Sequence, residues 1–208
     1  SALVASGAGA REVPTAGGVT LTLTGQSLGN EVDQIAVTVG GEVCSSIAIA
    51  TPHTAITCTV PAGTGANAPI SVTVAELVGT SNSALTVAYA APTLNAIAPA
   101  VIATTAGARI TLTGENLGAD SSTLESDTDF CADMVVTVPH IEIECSALAD
   151  VGTNHTIQLT IGGQALAQTV ALDREAPAVS AVSPLSPTST QSTGAVRLTI
   201  VGTNFGPS

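Results

Sequence analysis

Apolar and polar residues alternate along several short stretches of this chain. Residues 19–24 read VTLTLT, and the same alternation returns over residues 109–113 (RITLT) and 196–200 (VRLTI). A period of two places the apolar side chains on one face of an extended strand, which is typical of a half-buried β-strand. No stretch shows three turns of amphipathic helix. The pattern predicts an all-β protein.

A five-residue sequence, which we call the glycine frame, ends each of these stretches. It reads Gly, polar, small polar, large apolar, Gly, and occurs as GQSLG at 25–29, GENLG at 114–118 and GTNFG at 202–206. Successive frames begin 89 and 88 residues apart. Because glycine tolerates positive φ, the frame predicts a turn at the end of each strand. The even spacing indicates tandem structural repeats.

A second pair of segments shares the same period. Residues 44–58 (CSSIAIATPHTAITC) align with residues 131–145 (CADMVVTVPHIEIEC), and both end in the pattern P-H-x-x-I-x-C. Each segment predicts two strands joined across its Pro-His turn. Each unit holds about seven short strands with turn signals every 8–12 residues, the pattern of an immunoglobulin-like sandwich.

We therefore expect three domains in a linear array. The predicted bounds are 1–90 for the first sandwich, 91–175 for the second and 176–208 for the start of a third, incomplete repeat. Proline-containing connectors, AAP at 90–92 and EAP at 175–177, join the repeats.

Charge and composition exclude several classes of function. The formal net charge is −12, with four Arg and no Lys, so the chain lacks the clustered cations that nucleic-acid binding requires. An anionic membrane surface is excluded as a partner on the same ground. We expect no direct membrane insertion of this segment, because no run of 18 residues is uninterruptedly apolar. Residues 1–12 lack the features of an intact signal peptide.

The order of motifs resembles the IPT/TIG family of immunoglobulin-like domains, found in plexins, some transcription factors and cell-surface repeat proteins. In the second repeat the motif is carried by Pro92, Ile97, Pro99, Gly107, Ile110, Gly114, Asn116, Leu117 and Gly118. In the third it is carried by Pro177, Val182, Pro184, Gly194, Leu198, Gly202, Asn204, Phe205 and Gly206. The first repeat departs at Ser27, which replaces the Asn, and in lacking the leading prolines. The resemblance implies a binding or spacing module without a shared active site, so we expect no enzyme and no cofactor.

Four cysteines permit three pairings. Their equal spacing in two repeats selects Cys44–Cys58 and Cys131–Cys145, because each domain should carry its own bond. Disulfides imply an oxidising, extracellular or cell-surface setting. The alternative is zinc bound by Cys44, His53 and Cys58 and by the matching set around His140. We favour disulfides, because no fourth ligand and no C-x₂-C pair is present.

Two further sites are weaker candidates. Asp120, Asp127 and Asp129 lie in an acidic loop that could supply oxygen ligands to calcium, although the glycine of an EF-hand loop is missing. A solvated acidic loop is the favoured interpretation. Asn154 begins the only N-x-T sequence in the chain and is a candidate for glycosylation in a secreted protein. The Ser/Thr/Pro-rich residues 183–194 are either a linker or a site of O-glycans.

Three functions fit these observations. We favour an extracellular structural or adhesive repeat segment, secreted or at the cell surface, whose partners are further repeats or other copies of the chain, head to tail, or a cell-surface protein or glycan. The alternative is the ectodomain stalk of a signalling receptor. An accessory domain of a carbohydrate-active enzyme is disfavoured, because the chain has only three aromatic residues for sugar stacking.

Overall fold

A computed structural model gives the fold, and it describes residues 4–6, 12–79, 85–126, 131–166, 171–183 and 197–207. Almost all of the regular structure is strand, and the predicted all-β class of tandem immunoglobulin-like domains is confirmed. Two single-turn 3₁₀ helices, Val32–Gln34 and Ser121–Thr123, occupy matching loops of the first two repeats. Among the described residues, no helix has the length and apolar character needed to cross a membrane.

The described residues of repeat 1 form nine strands in two sheets. The strands are β1 (Val4–Ser6), β2 (Thr20–Thr24), β3 (Ile35–Val39), β4 (Glu42–Val43), β5 (Ser45–Thr51), β6 (Ala55–Thr59), β7 (Ala68–Val74), β8 (Leu77–Val78) and β9 (Thr86–Val87). One sheet has the order β1-β2-β6-β5, and the other has the order β4-β3-β7-β8 with β9 also paired to β7. The apolar faces of both sheets meet in one core.

In repeat 2 the part of the chain that the structure describes forms ten strands. They are β10 (Thr93–Ala98), β11 (Val101–Ile102), β12 (Arg109–Glu115), β13 (Leu124–Ser126), β14 (Cys131–Val138), β15 (Glu142–Ala147), β16 (His155–Thr156), β17 (Leu159–Ile161), β18 (Gln164–Ala165) and β19 (Ala171–Arg174). The sheet β10-β12-β15-β14 repeats the order of β1-β2-β6-β5, so β1 performs in repeat 1 the role of β10 in repeat 2. Repeat 1 therefore has the same first strand as repeat 2.

The alternation read from the sequence sets the burial of the central strands. Leu21 and Leu23 on β2, and Ile110 and Leu112 on β12, are fully buried, and the threonines between them face outward. The hairpins β5–β6 and β14–β15 turn at the two Pro-His sequences, as predicted. Ile141 alternates with the buried Ile143 and Cys145 along the sequence but does not share their buried face. It lies in the turn and is 54% exposed.

The third repeat is represented by one hairpin. Strands β20 (Ala178–Ser183) and β21 (Thr199–Thr203) pair antiparallel, as β10 and β12 do. Leu198 and Ile200, whose counterparts Ile110 and Leu112 are buried, are more than half exposed. In repeats 1 and 2 the equivalent strand is covered by the opposite sheet.

Candidate inter-repeat joint

The two glycines of each frame are required for different reasons. A Cβ on Gly114 would overlap the carbonyl oxygen of Thr93 on β10, and one on Gly202 would overlap that of Ala178. The first glycine thus permits close approach of the neighbouring strand, and its φ is not positive. The second glycine has a φ of 79° at Gly29, 73° at Gly118 and 100° at Gly206. The expectation that both glycines serve positive φ is therefore correct only for the second.

The third residue of each frame also has positive φ. The values are 61° at Ser27, 58° at Asn116 and 59° at Asn204. Asparagine is the side chain that best tolerates this left-handed region. The next residue, Leu28 or Leu117, enters the core. This geometry turns the third side chain of the frame away from its own repeat.

The frames of repeats 1 and 2 are each bonded to the Pro-His turn of their own repeat. In repeat 2 the N–H of Leu117 donates to the carbonyl of His140 at 3.0 Å, and the N–H of His140 donates to that of Gly118 at 2.6 Å. In repeat 1 the same two bonds join Leu28, Gly29 and His53 at 3.0 and 2.8 Å. The two repeated motifs therefore form one surface. We call the frame, the Pro-His turn and the turn between β17 and β18 the docking face of repeat 2. The matching face of repeat 1 includes the turn between β7 and β8.

The docking face of repeat 2 contacts the end of repeat 1 through two side-chain amides. Asn116 Oδ1 accepts a hydrogen bond from the N–H of Thr15 at 3.2 Å, and its Nδ2 donates to the carbonyl of Ala91 in the connector at 3.5 Å. Gln164 Oε1 accepts from the N–H of Gly65 at 3.2 Å, and its Nε2 donates to the carbonyl of Tyr89 at 3.1 Å. Each amide thus satisfies one backbone donor and one backbone acceptor of the preceding repeat. A hydrogen bond of this kind contributes about 1 kcal/mol net.

A histidine contact lies beside these amides. His140 Nδ1 is 2.9 Å from the Oγ1 of Thr15, whose residue is only 2% exposed. Burial lowers the pKa of His140 below its usual 6.5. His140 is half-buried, while His53, its counterpart in repeat 1, is exposed. The difference is consistent with the joint shielding His140 from solvent.

Thr64 packs against two glycines of the docking face. A Cβ on Gly118 would lie 3.1 Å from Cγ2 of Thr64, and a Cβ on Gly162 would lie 2.6 Å from its Cβ. The second of these distances is too short for a real contact. Gly162 therefore permits the loop of repeat 1 to approach, in addition to having a φ of 57°.

The contacts recur in part between repeat 2 and the third frame. Asn204 Nδ2 donates to the carbonyl of Ala176 at 3.4 Å, the equivalent of the Asn116–Ala91 bond, and to Oε2 of Glu175 at 2.9 Å. A Cβ on Gly206 would lie 2.8 Å from Cγ1 of Val151, which occupies the position of Thr64. The repeated turn thus contacts the preceding repeat at both joints.

Two different residues close the ends of the repeats. Tyr89 is buried, and its hydroxyl donates to the carbonyl of Pro61 at 3.0 Å. Burial, with smaller contributions from Cys44 and Glu42, raises its pKa to about 12. At the same position in repeat 2 is Arg174, 5% exposed, whose Nη2 donates to the carbonyl of Leu148 at 2.7 Å. Leu148 is the counterpart of Pro61. The equivalent backbone carbonyl therefore accepts a hydrogen bond in both repeats, from Tyr89 in repeat 1 and from Arg174 in repeat 2.

A cleft of about 470 Å³ opens beside the joint. Repeat 1 contributes Glu42 and residues 61–64 to its walls, and repeat 2 contributes Asp120 and Thr123. Asp120 caps the 3₁₀ helix of repeat 2, where its Oδ1 accepts from the N–H of Ser122 at 2.8 Å. This bond lowers the pKa of Asp120. The carboxylate that was a calcium candidate is therefore bonded within its own loop.

The weak calcium candidate and the alternative zinc sets are not assembled by the residues that the structure describes. Asp127 and Asp129 lie outside those residues, and within them no group of three His, Cys, Asp or Glu side chains is close enough to hold a metal. His53 and His140 are at the tips of their hairpins, and the cysteines are at the opposite ends. Five residues of sequence separate each histidine from the nearer cysteine, which corresponds to roughly 16 Å of extended strand. In each hairpin the histidine therefore lies away from both cysteines.

The two cysteine pairs differ in the structure. Cys131 and Cys145 are joined by a disulfide, with their Cα atoms 5.9 Å apart. Cys44 and Cys58 are two buried thiols whose side chains share a hydrogen bond. This bond lowers the pKa of Cys44, whereas the bond and burial together raise the pKa of Cys58. The structure thus departs from the expected bond in repeat 1, and oxidation of that pair stays a prediction. Asn154, the glycosylation candidate, is exposed.

The comparisons with known proteins concern the repeats. The family model described as IPT/TIG domain matches residues 11–89 and 92–172. No curated protein sequence matches the chain.

Solved structures with similar folds are distant in sequence. The extracellular region of plexin A4 is 20% identical, with 83% of this chain and 18% of that chain covered and a TM-score of 0.40. A surface glycan-binding protein from Prevotella bryantii is 12% identical, with 73% and 35% covered and a TM-score of 0.45. The protein InvD of Yersinia pseudotuberculosis is 17% identical, with 97% and 68% covered and a TM-score of 0.32. The chain spans about a fifth and a third of the first two structures.

Proposed function

Because the chain belongs to the IPT/TIG family of immunoglobulin-like domains, we propose that it is a non-catalytic spacing segment of an extracellular structural or adhesive protein. The observation that carries the proposal is the joint between repeats 1 and 2. Four hydrogen bonds from two amides, the Thr15–His140 contact and the packing of Thr64 fix one repeat against the next. A spacer needs such joints, because a chain of sandwiches on free linkers would not hold a length.

The extracellular setting rests on the disulfide. Cysteine pairs of this kind persist in secreted and surface proteins and are rare in the cytosol. The net charge of −12 and the absence of Lys remain arguments against nucleic acid as a partner. Further repeats, or other copies of the chain bound head to tail, are the partners that a stacked array requires.

A glycan partner has less support. Sugar-binding platforms stack sugar rings on exposed aromatic side chains, and Tyr89 is buried beneath the end of repeat 1. Phe205 is 55% exposed next to the third-repeat hairpin, and Phe130 lies outside the residues that the structure describes. A cell-surface protein remains the better candidate for an adhesive contact. A receptor stalk is the second candidate function, since it needs the same stiff joints.

Solution scattering of the purified chain tests the proposal. Two sandwiches in line, with strands of 5–8 residues at about 3.3 Å per residue plus loops, give a maximum dimension of roughly 80 Å. Side-by-side packing would give a much rounder particle. A compact particle with the two sandwiches face to face would contradict a spacing function.

A further inference from the structure

The two sides of the joint contribute different kinds of groups. Repeat 1 and the connector contribute backbone groups to both amides. Asn116 bonds to the N–H of Thr15 and to the carbonyl of Ala91. Gln164 bonds to the N–H of Gly65 and to the carbonyl of Tyr89. Main-chain groups are present whatever the side chains are. The receiving end therefore places few demands on sequence, apart from the Thr15 hydroxyl and the size of residue 64.

The docking face, in contrast, depends on particular side chains. Asn116 and Gln164 supply the amides, and Gly162 leaves room for Thr64. Any residue larger than glycine at position 162 would meet both the Cβ and the Oγ1 of Thr64. Three positions on repeat 2 thus decide whether the joint can close.

Repeat 1 carries a different residue at each of these positions. The pairing of Val74 with Leu77 on the β7–β8 hairpin matches that of Ile161 with Gln164 on β17–β18, so Leu77 is the counterpart of Gln164 and Ala75 that of Gly162. In the glycine frame, Ser27 is the counterpart of Asn116. All three residues of repeat 1 are exposed, Leu77 by 75%.

Each difference prevents one contact of the joint. The serine hydroxyl is too short to bond a donor and an acceptor as the asparagine amide does. Leucine has no hydrogen-bonding group, so the backbone donor and acceptor that Gln164 satisfies would be covered and left unpaired. Ala75 has φ of 47°, like Gly162, and places a Cβ where the loop of a preceding repeat would pack.

We propose that these three positions form an acceptance code for stacking. Asn, Gly and Gln at positions 116, 162 and 164 let repeat 2 bind the end of repeat 1 through backbone groups and Thr64. Ser27, Ala75 and Leu77 make the matching face of repeat 1 reject that partner. This inference rests on the proposed function only in that it uses the same joint.

Transplanting the code of repeat 1 into repeat 2 tests the first half. The variant is Asn116→Ser, Gly162→Ala, Gln164→Leu in the full chain. The matched control makes the same three exchanges at exposed positions that make none of the joint contacts described above: Asn95→Ser, Gly163→Ala and Gln158→Leu. Gly163 has a φ of 76° and open space around it, so the control carries the same backbone strain.

Residual dipolar couplings give the readout. We expect one alignment tensor for both repeats in the control and two independent tensors in the transplant, with the strand amide signals of each repeat retained. A single tensor in the transplant overturns the code while leaving the proposed function intact. Independent tensors in the wild-type chain count against the proposed function and the code together.

A longer chain tests the second half. Residues 1–92 are joined ahead of Ser1, so that the added repeat keeps its β1; Ser1 corresponds to Thr93 when the pairing of β1 with β2 is matched to that of β10 with β12. Solution scattering of this chain should show flexibility at the junction ahead of Ser1. After Ser27→Asn, Ala75→Gly and Leu77→Gln in the second copy of repeat 1, the particle should be straight and longer. Equal stiffness in both chains contradicts rejection by the face of repeat 1.

Discussion

The side-chain oxygen of Asn116 accepts a hydrogen bond from the backbone N–H of Thr15, 101 residues earlier in the chain, at 3.2 Å. Asn116 is the third residue of a glycine frame, and its φ of 58° directs the amide out of its own domain. The frame is therefore a turn within one repeat and a contact to the one before it. This dual role explains why the same five-residue pattern recurs with an even period.

Replacing Gly162 with alanine should open the joint. The new Cβ would collide with Thr64, and the positive φ would add strain within repeat 2. Gly163→Ala has similar strain but meets no atom within 4 Å. We expect both variants to lower the unfolding free energy of repeat 2 by about 1 kcal/mol, and only Gly162→Ala to let the repeats reorient. Unfolding by urea and ¹⁵N relaxation measure the two effects. Equal reorientation in both variants would exclude the collision as the cause.

His140 should titrate below the usual value for histidine. Burial depresses its pKa from 6.5, so the unfolded chain binds the proton more readily than the folded chain does. Its contribution to stability is then complete above about pH 6.5 and is lost as the pH falls through the folded pKa. An NMR titration of the imidazole protons measures the midpoint.

The triple transplant Asn116→Ser, Gly162→Ala, Gln164→Leu is the control for this titration. Opening the joint should return His140 toward the usual pKa, because Thr15 no longer covers it. A midpoint unchanged by the transplant would show that the shielding comes from repeat 2 alone.

Much of the fold is predictable from local pattern. Alternation identified β2 and β12, and the Pro-His sequences identified the tips of two hairpins, because period and turn chemistry are local properties of the chain. Asn116 and His140 could be singled out from the sequence because they recur between repeats, but their role in the joint could not be predicted. A repeated polar residue in a turn indicates importance without indicating which surface it contacts.

The rest of the joint is beyond local inference. Gln164 meets Gly65 across 99 residues, and its segment has no periodicity or motif that indicates an approach to another domain. The exchange of Tyr89 for Arg174 also has no local signal, since the two residues differ in size, charge and hydropathy. What they share is a position at the closed end of a sandwich, which only the assembled fold defines.

Burial predicts different costs for two equivalent residues. Ile110→Ala should lower the unfolding free energy of repeat 2 by roughly 2–5 kcal/mol, because a fully buried side chain leaves a cavity. Leu198 occupies the same position in the third repeat but is 57% exposed. Leu198→Ala should therefore change the unfolding free energy of the chain by less than about 0.5 kcal/mol. Thermal unfolding followed by circular dichroism compares them. A large loss for Leu198→Ala would mean that the hairpin is covered in solution.

Both cysteine pairs should be oxidised in the protein secreted from cells. Cys44 and Cys58 are buried and in contact, so closing the bond requires only a short movement of two side chains. Intact mass before and after reduction, with peptide mapping, identifies the bonds. Two thiols that alkylate only after unfolding would show that repeat 1 stays reduced, and a Cys44–Cys131 link would refute the pairing.

The central claim is that the glycine frame of one repeat fixes it against the end of the repeat before. Residual dipolar couplings of the wild-type chain test it most directly, because they report the orientation of each sandwich separately. The account predicts that couplings from β2, β3, β6 and β7 and from β12, β15 and β17 fit one alignment tensor of common magnitude and axes. Two tensors of different magnitude, with each repeat well ordered internally, would contradict it.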